Sequence, residues 1–398
     1  MRILHTSDWH LGKRLNGISR LGEQEEVLGE IAEIAERENA DITVIAGDVF
    51  DTAVPPAEAE ELFFRAAKRL AGETRAVVAI SGNHDDSVRL CASAPVAAES
   101  GIYIAGAGGG AFPTGGERRV RPVRSGNGWA VFGNTQTGEE VYLGLLPYPT
   151  PDLLGTVREE ETYQAKVGRL IRERMEACGD GTPALFVSHL FVQGGIKSES
   201  ERDIELGGAQ CVPADLLPGC GYVALGHLHR RQRAGRENAL YSGSILQYSF
   251  SEAGNQKSVT LLETGENGSF SQREIPLTKG KRLVRIEAGS VAEGAALLRE
   301  NSGCLAELGL RLAEPLTPAG KEELYSCGNL AHLGVEVAGQ GPGSAGEAAA
   351  LAEAAVSDPG KLFREYYGEK YGAEPPEELM TLFLEVMAEA ENGTGGGE

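Results

Sequence analysis

Five short apolar runs along the chain stop abruptly in polar motifs. Residues 2 to 5, 42 to 46, 76 to 80, 184 to 188 and 222 to 225 are rich in Ile, Val, Leu and Ala and read as short buried strands. Between the first three the period changes. Val27, Leu28, Ile31 and Ile34 recur on one face of the stretch from Glu23 to Glu38. Leu62, Ala66 and Leu70 do the same after Pro55-Pro56, a good helix start. Strands alternating with helices predict an α/β fold whose sheet is covered on both sides. Ligands of such folds collect at the carboxyl ends of strands, where all five polar motifs stand.

Residues 106 to 140 are Gly-rich and basic, with Arg118, Arg119, Arg121 and Arg124, and read as a hairpin or surface loop. Residues 239 to 264 suggest two strands joined through Ser249 to Gln256. From Lys281 the texture becomes β-α-β-α-β: strands at Arg282 to Glu287, Cys304 to Leu312 and Leu333 to Val337, helices at Ser290 to Glu300 and Pro318 to Cys327. The expected domains are therefore 1–280, a small α+β domain over 281–338, and a linker over 339–359 containing GQGPGSAGE. Residues 360–391 carry Leu362, Phe363, Tyr366 and Tyr367, then Leu379, Leu382, Phe383, Val386 and Met387. Two amphipathic helices around Pro375-Pro376 explain that pattern, and their apolar faces are expected to dock on a partner.

A length of 398 residues agrees with two or three units. Nothing after Met1 reads as a secretory signal, and no apolar run approaches the ~20 residues that cross a bilayer. The six cysteines never form a Cys-x-x-Cys pair, so they read as reduced thiols of a cytoplasmic protein. A formal charge of −21 argues at first sight against nucleic acid, whose usual footprint is a basic patch. Local charge outranks the total, however, and the strand ends hold a different chemistry.

The motifs there are Asp8-Trp9-His10, Gly47-Asp48, Gly82-Asn83-His84-Asp85, His189, and Gly226-His227-Leu228-His229. Five of the chain's seven histidines lie in them; His5 and His332 stand apart and read as structural. Asp8 and His10, two residues apart at one strand end, can reach one cation. A carboxylate such as Asp48 can place its two oxygens on two cations roughly 3.5–4 Å apart. Asn83 offers a neutral oxygen, and His189, His227 and His229 offer imidazole nitrogens. This mixed donor set suits Mn, Fe or Zn better than Mg or Ca. Two dications facing two aspartates leave a surplus of about +2, which draws a phosphodiester inward.

The order D-x-H, GD, GNH with an acid, H and GHxH resembles the calcineurin-like metallophosphoesterase superfamily. ILHTSDWHLGKRL, AGDVFDTAVPP, ISGNHD, SESERDIELGG, YVALGHLHRRQ and YSGSILQYSFSEAGNQKSV are similar, within it, to the SbcD family of bacterial nuclease subunits. The resemblance covers roughly residues 1 to 280, and it implies a four-layer α/β/β/α sandwich. It implies that Asp8, His10, Asp48 and His229 hold one metal, and Asp48, Asn83, His189 and His227 a second, both manganese. His84 would face the scissile phosphate as acid or transition-state stabiliser, and Asp51 would orient His84 and raise its pKa. It further implies cleavage of DNA ends, single strands or hairpins, in DNA repair, recombination and replication. The implied assembly is a homodimer within a heterotetramer completed by an SbcC-type ATPase, which residues 360–391 would bind.

Lys13, Arg14 and Arg20 follow the first motif, and Arg230, Arg231 and Arg233 the last, making them the candidate DNA contacts. Two rivals remain. A phosphoprotein or small-molecule phosphatase usually shows GDxVDRG, whereas Gly47 to Ala53 reads GDVFDTA, without the arginine. A metal-free scaffold would not need the complete donor set.

Overall fold

The structure, a computed structural model, describes residues 1–107, 110–154, 161–201 and 211–338, with the pairs 363–364, 375–376 and 379–380. The linker expected over 339–359 lies outside the described residues, as does the segment 360–391 apart from those pairs. Among the described residues no helix is long and apolar enough to cross a membrane.

The five apolar runs are the strands Arg2–Thr6, Ile42–Ala46, Ala76–Ile80, Ala184–His189 and Tyr222–Gly226. They divide between two sheets. The first has six strands in the spatial order Phe270–Pro276, Ser258–Thr264, Arg2–Thr6, Ile42–Ala46, Ala76–Ile80, Ile102–Ala105. Its last four run parallel, with Ile3 opposite Ile42 and Val44 opposite Val78. The second has seven, with Ala184–His189 parallel to both Tyr222–Gly226 and Glu140–Leu146. The Gly-rich basic stretch supplies the antiparallel hairpin Val120–Gly126 and Trp129–Asn134 at its edge.

Alternation along each strand explains the layers, because successive side chains point to opposite faces. Ile3, Val44, Val78 and Ile80 meet Leu185, Val187 and Ala224 in a core between the sheets. Their neighbours Leu4, Ile45, Val77 and Ala79 face outward onto Val27, Leu28 and Ile31 of helix Leu21–Arg37 and Leu62, Phe63 and Leu70 of helix Ala57–Ala71. Phe186, Val223 and Leu225 face outward onto Val167, Leu170 and Ile171 of helix Tyr163–Met175. Helix, sheet, sheet, helix is the layering expected. The cover on the second face of the first sheet is thus another sheet.

The small sheet follows with strands Leu283–Ala288, Leu305–Leu312 and Leu330–Val337 and helices Val291–Glu300 and Pro318–Ser326. The described residues within 1–310 and 318–334 form one compact unit, from which residues 311–317 and 335–338 separate. The change of texture at residue 281 therefore marks a new sheet rather than a break between compact units. Leu283 and Leu305 share an apolar cluster with Leu15 and Phe250, which ties that sheet to the larger core.

Arg20 corrects one expectation. Its side chain is fully buried, with Nε and Nη2 on the Glu23 carboxylate at 2.8 and 2.9 Å and Nη1 donating to the Gln247 carbonyl at 2.8 Å. It braces the first helix and cannot reach a nucleic acid. Arg20→Ala is expected to cost about 3 kcal/mol, the low end for breaking a buried pair, measured by denaturant unfolding. Lost DNA affinity at unchanged stability would reverse this assignment.

Candidate metal centre

The turns after the strands place the site. Asp8 N–H donates to Gly47 O, His10 N–H to Asp48 O and Leu11 N–H to Val49 O, at 2.9–3.0 Å, so the first two motif loops are zipped together. Asp8, His10, Asp48 and His227 hold φ of 52, 44, 51 and 105°, in the left-handed region that non-glycine residues avoid. Such strain concentrates at functional sites. Gly47 and Gly82 permit the crowding: a Cβ on the first would strike His189, and on the second Asp48.

The structure brings Asp8, His10, Asp48, Asn83, His189, His227 and His229 to one place, nearly all fully buried. Ligand atoms of Asp8, His10 and His229 lie within 4.8 Å of one another, as do those of Asp8, Asp48 and His189. Asp48 Oδ2 is 3.5 Å from His10 Nε2 and 3.3 Å from His189 Nε2. Asn83 Oδ1 is 2.9 Å from both His189 Nε2 and His227 Nδ1.

Tautomers show why a cation fits. His10 Nδ1 lies 3.3 Å from the Asp51 carboxylate, outside hydrogen-bond geometry, and His229 Nδ1 faces Ser200 Oγ at 2.5 Å, so the neighbouring charge and hydroxyl favour the proton of each ring on Nδ1. The two Nε2 lone pairs then oppose each other at 2.9 Å. Only a proton or a metal ion makes that contact favourable. Burial holds His10 down at about 4 and lowers His229 as well, so at neutral pH neither ring takes the proton. The same pattern recurs at His189, where Nδ1–H donates to Ala46 O at 2.8 Å and Nε2 faces Asn83 and Asp48.

The acids are tuned unequally. Burial pushes Asp8 up to about 8. Burial also acts on Asp48, but His189, His10 and His84 around it hold it well below the carboxylate range. Asp48 in turn outweighs the burial of His189 and raises it to about 9.

His84 stands at the rim of this cluster, with a ligand atom within 4.8 Å of His10 and Asp48. Its Nδ1 donates to the main-chain carbonyl of Asp51 at 2.7 Å. The Asp51 carboxylate is 3.9 Å from that ring and closer to His10 Nδ1 and Lys13 Nζ, at 3.3 and 2.8 Å. The direct hydrogen bond to His84 comes from the Asp51 main chain, while the expected carboxylate contact is a longer ion pair, with the carboxylate lying nearer His10 and Lys13.

Four of the other candidate DNA contacts also have definite places. Lys13 is held by Asp51, Arg231 by Glu274 at 3.1 Å and Arg233 by Glu237 at 3.4 Å. Among the described residues Arg14, at the surface, donates to the Gly17 carbonyl. Arg230 is exposed, with no carboxylate partner among the described residues.

Several supporting residues were not singled out from the sequence. Asp85 accepts from the N–H groups of Val49, Phe50 and Gly82 at 3.1, 2.9 and 2.8 Å, tying the second motif loop to the third. Gln24 Nε2 donates to the Trp9 and His10 carbonyls. Ser200, Glu252 and Lys257 stand behind His229, whose N–H donates to Glu201 at 2.6 Å. SESERDIELGG and YSGSILQYSFSEAGNQKSV contain four of them, without revealing what each touches.

Comparison with known proteins agrees with this geometry. The calcineurin-like phosphoesterase family matches residues 1–231. A Bacillus subtilis protein, named as the D subunit of the nuclease SbcCD, is 36% identical over 409 aligned positions, covering 98% of this chain and 99% of its own. Proteins of the same name from Rhodobacter capsulatus and Staphylococcus saprophyticus are 36% and 33% identical, covering 78% and 72% of this chain and 76% and 72% of their own.

Below about 8 Asp8 keeps its proton, as His189 does below about 9, and a cation must displace both. Metal affinity is therefore expected to rise with pH over roughly pH 6–8 and binding to release protons. Calorimetry in buffers of different ionisation enthalpy reads both effects. A flat profile would contradict the donor set.

Proposed function

The chain belongs to the calcineurin-like phosphoesterase family and, within it, to the D subunits of SbcCD nucleases; we propose that it is a dinuclear-metal nuclease that hydrolyses DNA phosphodiesters. The observation that carries this reading is the pair of opposed imidazole lone pairs beside Asp48, a contact that calls for a cation at neutral pH. Asp8, His10, Asp48 and His229 hold one ion, and Asp48, Asn83, His189 and His227 the other. Manganese suits their mixed oxygen and nitrogen donors. Ions held there would supply charge to neutralise the phosphate and would lower the pKa of an attacking water towards neutrality.

The chain's own residues do the rest. Asp48 accepts the main-chain N–H of His84 on Oδ1 at 2.9 Å, leaving Oδ2 between His10 and His189, where it would be shared by the two positions. With Nδ1–H engaged by the Asp51 carbonyl, Nε2 is the His84 atom that faces the reaction. In the imidazolium form its second proton passes from Nε2 to the departing sugar oxygen, leaving the neutral ring. No covalent intermediate is required. The proposed substrates are double-strand ends, single strands and hairpins; the name of the relatives supports nuclease activity. The SbcCD name of the relatives supports a complex with a C subunit; an ATPase partner bound through residues 360–391, and a homodimer within a heterotetramer, are part of the proposal itself.

His84→Ala is expected to keep both ions but to lose about 10²–10⁴-fold in rate, whereas Asp48→Ala should lose metal itself. Elemental analysis beside a DNA cleavage assay reads both, and equal metal content in the two variants would sink the division of roles. On the DNA face, Arg230→Ala should lower the slope of log affinity against log salt by about 0.9 and spare bis-p-nitrophenyl phosphate. Equal loss on both substrates would place Arg230 in support of the metal centre.

A further inference from the structure

The two histidines whose Nε2 atoms face each other are backed in the same way, although the groups behind them come from distant parts of the chain. Behind His10 lies the Asp51 carboxylate, 3.3 Å from Nδ1, and Lys13 Nζ sits 2.8 Å from the same Oδ1. Behind His229 lies Ser200 Oγ at 2.5 Å, and Ser200 in turn is 2.5 Å from Glu252 Oε1. Glu252 is fully buried and paired with Lys257 at 2.5 Å, and Lys257 also donates to the His229 carbonyl at 2.8 Å. The Lys257 ammonium, 2.5 Å from Glu252 Oε2, is the counterion of this buried carboxylate. The serine hydroxyl therefore gives its single proton to Glu252 and must accept from His229 Nδ1–H. His189, by contrast, is backed by the uncharged Ala46 carbonyl.

We infer that Asp51 and Glu252, each clamped by a lysine, are positioning residues that fix the Nδ1 protons of His10 and His229 and so favour one of the two cation positions over the other. The inference rests on the dinuclear reading above. An anion behind an imidazole raises its basicity and fixes its tautomer, and loss of such a partner typically costs about 10–100-fold in metal affinity. The His10–His229 position has two such anions. The His189 position has none at Nδ1, so the ions load in order.

Titration of Mn²⁺ into the full chain, followed by the paramagnetic signal of free manganese, tests this. Wild type should bind two ions, one more tightly. Asp51→Ala, which leaves the carbonyl to His84 in place, should weaken the tighter ion about 10–100-fold and leave the weaker one unchanged. Asp51→Asn, able to accept but uncharged, should recover part of the loss. If Asp51→Ala does not fold by circular dichroism, the double variant Glu252→Gln with Lys257→Met, which removes that buried charge pair together, carries the same expectation. Unchanged affinities, or equal weakening of both ions in a folded variant, would overturn the inference. A wild type that binds fewer than two ions would instead overturn the dinuclear reading on which it stands.

Discussion

Acceptor atoms crowded into a dry centre repel one another unless positive charge lies among them, and the rest of this protein is arranged to hold that crowding. His10 and His229 present Nε2 lone pairs 2.9 Å apart, with Asp48 beside them and Asp8 fully buried. Left-handed backbone at Asp8, His10, Asp48 and His227 costs about 1–3 kcal/mol per residue. It persists because the structure over-determines these turns. Parallel strands within two mixed sheets fix the strand ends, three main-chain hydrogen bonds zip the first loop to the second, and Asp85 binds the second to the third. Glycines at 47 and 82 leave the room that any Cβ would fill.

How far the sequence revealed this depends on the range of the interaction. Strand positions and the proposed donors were legible because both are local. A buried strand is an unbroken apolar run, and the residue after it must be a turn where function gathers. That the runs form two sheets was not written in strand–helix alternation, since Ala184–His189 and Tyr222–Gly226 look like Ile42–Ala46 in isolation. The inward and outward sets separate only once partners are known, with Val44 facing Val187 between the sheets and Ile45 facing the helices.

Charged residues were the least legible, because a sequence gives charge but not burial. Arg14 and Arg20 stand six residues apart in one basic segment, yet one lies at the surface and the other is enclosed by Glu23 and the Gln247 carbonyl. Asp51 illustrates the same limit at the scale of one residue. Spacing put it near His84, and it is near, but its main chain bonds that ring while its carboxylate lies nearer His10. Ser200 and Glu252 meet His229 across separations that no motif spacing encodes.

The placement of the cations completes the electrostatic logic. With 58 acidic and 37 basic residues, the chain has few positive groups to set against a polyanion. Around the centre, Lys13 faces Asp51, Lys257 faces Glu252, Arg20 faces Glu23 and Arg231 faces Glu274. Those side chains are neutralised behind or beside the proposed donors, where they cannot also serve a phosphate. On the proposed function, the attraction for a phosphodiester comes from Arg14 and Arg230 and from the ions themselves, so the chain presents a positive focus to DNA only when its metals are loaded. Acidity elsewhere then suppresses duplex binding away from the centre, because sequence-independent affinity rises with each neutralised phosphate. On the same proposal this chain supplies the place where the backbone is cut, and the grip on the duplex has to come from cations that the chain itself does not offer.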